Sequence, residues 1–208
     1  MSYSVRVIVP PAIEPVTVED VKLHAHITHD VENSIIAGWI RSARQQAEDF
    51  QRRSYISQIL EASWDQFPQS PFQIPRPPLI QVMDMSYWDC YNNYFNLYHL
   101  DWNPVSTTEE VGTEPATNSH FIIDTNSQPG RISLAYMILW PIVVLRNIDS
   151  FRVRYAAGYG HTADCIPQSV KDAIMLYCTW RNENRAAEDK EMPVQMRNLL
   201  ASDRAPAC

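Results

Sequence analysis

The sequence lacks a C-x-x-C pair, an apolar run long enough to cross a bilayer, and enough basic residues to balance its acids. Its four cysteines, Cys90, Cys165, Cys178 and Cys208, stand far apart. That spacing encodes neither a zinc ribbon nor a redox pair, and the expected state is reduced thiols in a cytosolic protein. The most apolar stretch, "LAYMILWPIVVL" from Leu134 to Leu145, is interrupted by Pro141 and falls short of the ~20 residues a spanning helix needs. The opening "MSYSVRVIVPPAIEP" has neither the apolar core nor the small-residue cleavage site of a secretory signal. A soluble product that stays inside the cell, away from membranes, is expected. Lys and Arg number 17 against 24 Asp and Glu, a net charge of −7. This argues against affinity built on phosphate neutralisation. It is compatible with a passage that DNA slides through under like-charge repulsion.

Catalytic patterns are missing too. There is no G-x-S-x-G, and no Ser or Cys has a convincing base partner. His24, His26 and His29 lack the four-residue helical spacing of zinc ligands. The carboxylate pairs Glu109–Glu110 and Glu188–Asp189 lie in polar, charged segments, and Asp101, Trp102 and Asp124 do not fit a calcium loop. Gly158-Tyr-Gly-His-Thr-Ala163 matches G-x-G-x-x-A, the phosphate loop of dinucleotide sites. The following helix, however, is expected to start at Pro167, too late to aim its dipole at a pyrophosphate. The glycines are therefore read as permitting a tight turn out of a strand. Neither a cofactor nor a metal nor a catalytic residue is expected.

What is present is a block of helix, a block of strand, and helix again. Thr17 looks like an N-cap, with Glu19 and Asp20 in the first turn of a helix over 18–26. Ile35, Ile36, Trp39, Ile40, Ala43, Ala47 and Phe50 recur at helical spacing, and Asp30 is available as a cap. Arg44–Glu48 and Glu48–Arg52 are i,i+4 pairs read as lying on the wet side. Alternation then places Leu60, Ala62 and Trp64 on one strand face, and Phe151, Val153 and Tyr155 on another. "HFIIDT" and "GRISLAY" flank the turn "NSQPG". Between Asp89 and Asn118 lies an insertion carrying Tyr91, Tyr94, Phe95, Tyr98 and Trp102. Without interleaved basic residues it reads as a hairpin cluster or protein contact rather than a base-stacking platform. Val170, Ala173, Ile174, Tyr177 and Cys178 line a C-terminal helix, and one more short helix closes the chain. Segregated runs of this kind predict an α+β fold, a helical core with an inserted antiparallel β-sheet domain. The expected divisions are an extended arm with the N-terminal helices over 1–54, a β-rich region over 55–160 with the insertion at 89–118, and C-terminal helices with a tail over 161–208 packing on the N-terminal helices.

Several blocks resemble, in order, the head–tail connector (adaptor) proteins of long-tailed bacteriophages and gene transfer agents. "PPAIEPVTVEDVKLHAHI" is similar to that family's Pro-Pro arm and first helix, and "DVENSIIAGWIRSARQQAEDFQRRSYI" to its long helix. "IPRPPLIQV", "IDTNSQPGRISL" and Trp140-Pro141 resemble its turns. "VRYAAGYG" followed by "IPQSVKDAIMLYCTWRNENR" carries most of the likeness. The insertion and the apolar "AYMILWPIVVL" depart from the pattern.

The resemblance implies a non-enzymatic virion neck protein assembled in the host cytoplasm. It would form a dodecameric ring under the portal, extend the DNA channel without reading sequence, and dock the stopper or tail. The family's C-terminal arms suggest Met192, Met196, Leu199 and Leu200 as portal-binding residues. A ring built head to tail needs two different patches per subunit, and Arg41, Arg44, Glu48 and Arg52 on the long helix either supply one or face water. The alternatives are another neck or tail-completion protein, such as a stopper or tail terminator, and a small enzyme with a cryptic site.

Overall fold

In the computed structural model, which describes residues 3–99, 120–185, 192–201 and 204–205, the chain divides into two compact units. A β-rich unit takes residues 1–10 and 58–157, and a helical unit takes 11–57 and 158–207. The fold is α+β, with helices and antiparallel sheets segregated. Its strands are β1 (Tyr3–Val9), β2 (Gln58–Trp64), β3 (Phe72–Gln73), β4 (Leu79–Trp88), β5 (Tyr94–His99), β6 (Phe121–Asp124), β7 (Arg131–Leu134) and β8 (Phe151–Ala157). Its helices are α1 (Val18–His24), α2 (Asn33–Gln51), α3 (Gln168–Glu183) and α4 (Val194–Ala201), with a 3-10 turn at Ala163–Cys165.

The main sheet has five strands in the order β1-β2-β8-β4-β5, and a second has three in the order β3-β7-β6. Period-two alternation fixes the register of the main sheet. One rung runs Val5, Ala62, Val153, Met85, Tyr98 across all five strands, and its side chains belong to the apolar core. The next runs Arg6, Glu61, Arg154, Asp84, His99. A one-residue slip would exchange these two sets, so the sequence tolerates only this pairing. Glu61 is buried and takes Arg6 at 2.6 Å and Arg154 at 3.2 Å. The opening residues, expected as an arm, are a paired edge strand because Tyr3 and Val5 pack against the core. In the proline-rich stretch only two residues, Phe72 and Gln73, make strand, at the edge of the smaller sheet, where missing N–H groups do least harm. Phe67, Phe72, Trp140 and Phe151 interlock with ring centroids 4.8–6.2 Å apart.

In the helical unit Thr17 caps α1: its hydroxyl oxygen accepts the Asp20 N–H at 3.1 Å, and Asp20 accepts the Thr17 N–H at 2.9 Å. The Thr17 N–H and the Thr17 hydroxyl, both donating to the Asp20 carboxylate, hold it below its ordinary range. Asp30 does not cap α2. It pairs with Lys22, and Glu32 stands at the N-cap without a side-chain capping bond, its carboxylate accepting from Arg185 instead. The buried stripe of α2 is Ile36, Ile40, Ala43 and Ala47, which meets Val170, Ala173, Ile174, Tyr177 and Cys178 of α3 and Met196 and Leu200 of α4. Each large apolar side chain so buried contributes about 1.5–3 kcal/mol. Ile35, which the spacing also marked, is exposed, as is Leu23 on α1, because each stripe is narrower than the sequence count of apolar residues.

Candidate assembly surfaces

The glycine turn is occupied by its own backbone. Tyr159 N–H donates to the Tyr55 carbonyl at 2.8 Å, and Ser57 N–H donates to the Gly160 carbonyl at 2.9 Å. Gly158 sits at φ +141, and a Cβ there would lie 2.7 Å from the Ile56 carbonyl carbon. The glycines let two chain segments touch, and α3 begins eight residues after Gly160, at Gln168. Pro167 is the residue before that first turn rather than within it.

The histidines do not converge. His24 ends α1, His26 takes a left-handed conformation, and His29 lies 4.0 Å from Glu32. Among the described residues no group of three His, Cys, Asp or Glu is placed to hold a metal ion. Nor is any helix there long and apolar enough to cross a membrane. Cys178 is a packing thiol whose pKa burial pushes up to about 12, while Cys90 and Cys165 are exposed. Asp124 closes the β6–β7 turn by accepting from the Ser127 hydroxyl at 2.6 Å and Arg131 at 2.7 Å. Trp102, Asp101, Glu109, Glu110, Glu188, Asp189 and Cys208 lie outside the described residues. Tyr94, Phe95 and Tyr98 of the insertion form β5, with Phe95 stacked on Tyr87 and Tyr98 buried.

The four charged residues marked on the long helix, of which Arg52 is the C-cap, separate into two pairs. Arg41 and Arg52 face solvent. Arg44 and Glu48 do not; they are 5% and 6% exposed. This corrects the wet-side reading. Arg44 donates from Nε to Glu14 at 2.7 Å and from Nη1 to Glu48 at 2.8 Å, and Glu48 also accepts the Tyr55 N–H at 3.0 Å. Burial works to lower the Arg44 pKa, but its bonds and charges with Glu14 and Glu48 outweigh it and raise the pKa above the ordinary value. Spacing carried the signal: positions 44 and 48 follow Ile40 at successive i+4 steps, on the flank of the buried stripe. The missing partner was Glu14, thirty residues upstream.

The C-terminal residues also part company. Met196 and Leu200 are fully buried in the helical core and Met192 packs against it, whereas Leu199 and Val194 are exposed. The apolar face of α4 is thus not free of the core, as its charged leader suggested. Gln51 Nε2 donates to the Leu200 carbonyl at 2.8 Å and fixes its end.

Among the described residues, a run of uncovered apolar side chains lies on the loop between β7 and β8. Tyr136, Met137, Leu139, Ile142 and Val144 project outward, Ile142 at 99% exposure and Tyr136 at 90%. The loop is pinned nonetheless. Trp140 stacks on Phe67 at 4.8 Å and donates its indole N–H to the Pro68 carbonyl at 2.9 Å. Leu145 bridges to Asp89, and Cys90 N–H donates to the Val144 carbonyl at 2.9 Å. A second exposed apolar stretch lies on β1, whose outer side no described strand pairs; Val7 and Val9 there are 54% and 47% exposed.

No protein-family model matches this sequence, and no curated protein is significantly similar to it. Solved structures do match along the whole chain. A chain of the neck of the native gene transfer agent particle, computed with C12 symmetry, superposes with a TM-score of 0.70 at 15% identity, over 100% of this chain and 97% of that one. The protein has the fold of that neck chain. A chain from the neck of the empty particle, computed with C6 symmetry, gives 0.72 at 14% identity over 100% and 97%. A chain of the native particle's virion gives 0.71 at 13% identity over 98% and 96%.

Proposed function

We propose that the protein is a structural component of the neck of a tailed phage or phage-like particle. Specifically, it acts as the head–tail connector that forms a ring under the portal, extends the DNA channel and docks the stopper or tail. The observation that carries this is the end-to-end likeness to neck chains, with both units included and almost nothing left over on either side. An acidic chain, at net charge −7, suits a lumen that DNA must traverse without being held. Portal contact falls to the C-terminal segment, through Leu199 and Val194, since Met196 and Leu200 are committed to the core. Arg41 and Arg52 remain available to a neighbouring subunit.

Electron microscopy of the purified chain mixed with its cognate portal tests the reading. A ring of twelve copies on the portal's tail-facing side is the expected image. A complex that forms only with the distal closure protein would instead assign a stopper role, and no association with any neck component would overturn the proposal. Deleting everything after Glu191 is a poor probe, because it removes Met196 and Leu200 from the core. Val194→Asp with Leu199→Asp removes the exposed face alone.

A further inference from the structure

We infer that the loop spanning residues 135–148 docks against the β1 edge of the next copy of this chain, forming the head-to-tail contact of a ring. This rests on the ring reading above and names the two surfaces that close it.

Five large apolar side chains held outward on one anchored loop exceed the scatter of single exposed residues on ordinary monomers and mark an interaction site. The anchoring matters. Trp140 and the Leu145 bridge fix the loop's position, so the apolar tips are presented at little ordering cost on binding. No residue from Leu134 to Leu145 is charged, so the receptor must be apolar as well.

The β1 edge meets that requirement. It is terminal in the sheet, no described strand pairs with its outer side, and Val7, Ile8 and Val9 are exposed there. Natural edges of this kind are guarded by Lys, Pro or a covering element. Arg6 and Pro10 bracket the Val7–Val9 stretch and its register with β2 shifts there, so what it offers a partner is its exposed apolar side chains rather than an open backbone ladder.

The two patches are also correctly separated. The loop is tied to the end of β4, through Trp88, Asp89 and Cys90, while β1 lies three strands away in the order β1-β2-β8-β4-β5. At about 4.8 Å per strand that is ~14 Å across one sheet. A single copy cannot satisfy itself by local closure, whereas a heterologous contact between copies uses one patch from each.

The test uses the full chain and two variants, Leu139→Asp with Ile142→Asp in the loop and Val7→Lys with Val9→Lys on the edge. Thermal melts show whether each remains folded. Sedimentation velocity is run up to roughly 1 mM, where millimolar contacts are populated. The wild-type chain is expected to self-associate and each variant alone to be monomeric. An equimolar mixture of the two variants is expected to give dimers and nothing larger, because only one intact loop–edge pair exists between them. Oligomers that persist in either variant overturn this assignment and leave the ring reading standing. Loss of portal or tail binding in the loop variant with self-association intact gives the loop a different partner and also overturns it. A wild-type chain that stays monomeric alone and on the portal removes the ring reading and this inference together.

Discussion

Replacing Glu48 by Ala separates the two descriptions of the long helix. An exposed i,i+4 pair would contribute ~0.3–0.5 kcal/mol. The structure instead places Glu48 in the interior, accepting from Arg44 at 2.8 Å and from the Tyr55 N–H at 3.0 Å. Removing one partner of a buried ion pair costs about 3–5 kcal/mol, and an orphaned buried N–H adds to the loss. Arg44 keeps Glu14 at 2.7 Å, which puts the expectation at the lower end, ~3 kcal/mol. For a chain of this length each kcal/mol moves the melting temperature by ~2–4 °C, so Glu48→Ala should melt about 6–12 °C lower. The helices provide the signal in far-UV circular dichroism. Glu48→Gln retains an acceptor for Tyr55 and should fall between, and Arg41→Ala, on the wet side, should lie within ~0.5 kcal/mol of wild type. A Glu48→Ala melt indistinguishable from wild type would refute the buried network and restore the wet-side reading.

Gly158→Ala forces a side chain onto a backbone at φ +141. It should destabilise by more than ~1 kcal/mol from the conformation alone, and further because its Cβ meets the Ile56 backbone at 2.7 Å; urea unfolding reads the loss. Met196→Ala should cost ~2–5 kcal/mol as a core truncation, whereas Leu199→Ala should cost less than ~0.5 kcal/mol while weakening portal binding. The Ser127 hydroxyl, and after it Arg131, hold the Asp124 carboxyl well below its ordinary 3.8. Its contribution to the β6–β7 turn is therefore complete at neutral pH and is lost only as the pH falls through that lowered value. Amide exchange of Asn126 and Ser127 should stay protected from neutral pH down to the ordinary carboxylate range, and Asp124→Asn should abolish the acid-dependent step.

Local chemistry was legible. Thr17, Asp20 and the apolar alternation of β2 and β8 describe elements whose determinants lie within a few residues of one another, and the α+β segregation follows from their order. What stayed hidden depends on distant partners. The opening residues look like an arm until β2 supplies a strand to pair with Tyr3 and Val5. Arg44 looks wet until Glu14 and Glu48 neutralise it in the interior. Met196 and Leu200 look like a free face until α2 and α3 are placed beneath them. The apolar loop posed the opposite difficulty. Its composition reads as core, and only Trp140 and Leu145 are used that way, leaving Ile142 and its neighbours outside.

That division bears on how a ring subunit would carry two jobs. Both proposed self-association patches belong to the β-rich unit, on strands and a loop held by one continuous sheet. The charged rung from Arg6 to His99 and the apolar rung beside it fix that sheet's register, so the spacing between the patches is set by backbone pairing rather than by flexible side chains. A closed ring demands such fixity, because small angular errors at each contact accumulate around the circle and leave an open helix instead. Val194 and Leu199, proposed above to meet the portal, belong to the helical unit. Substitutions at Val194 and Leu199 should accordingly leave ring formation intact while abolishing portal docking, and substitutions at Leu139 and Ile142 in the loop should do the reverse. Self-assembly and docking are then separable properties of one chain, each built on a different set of elements.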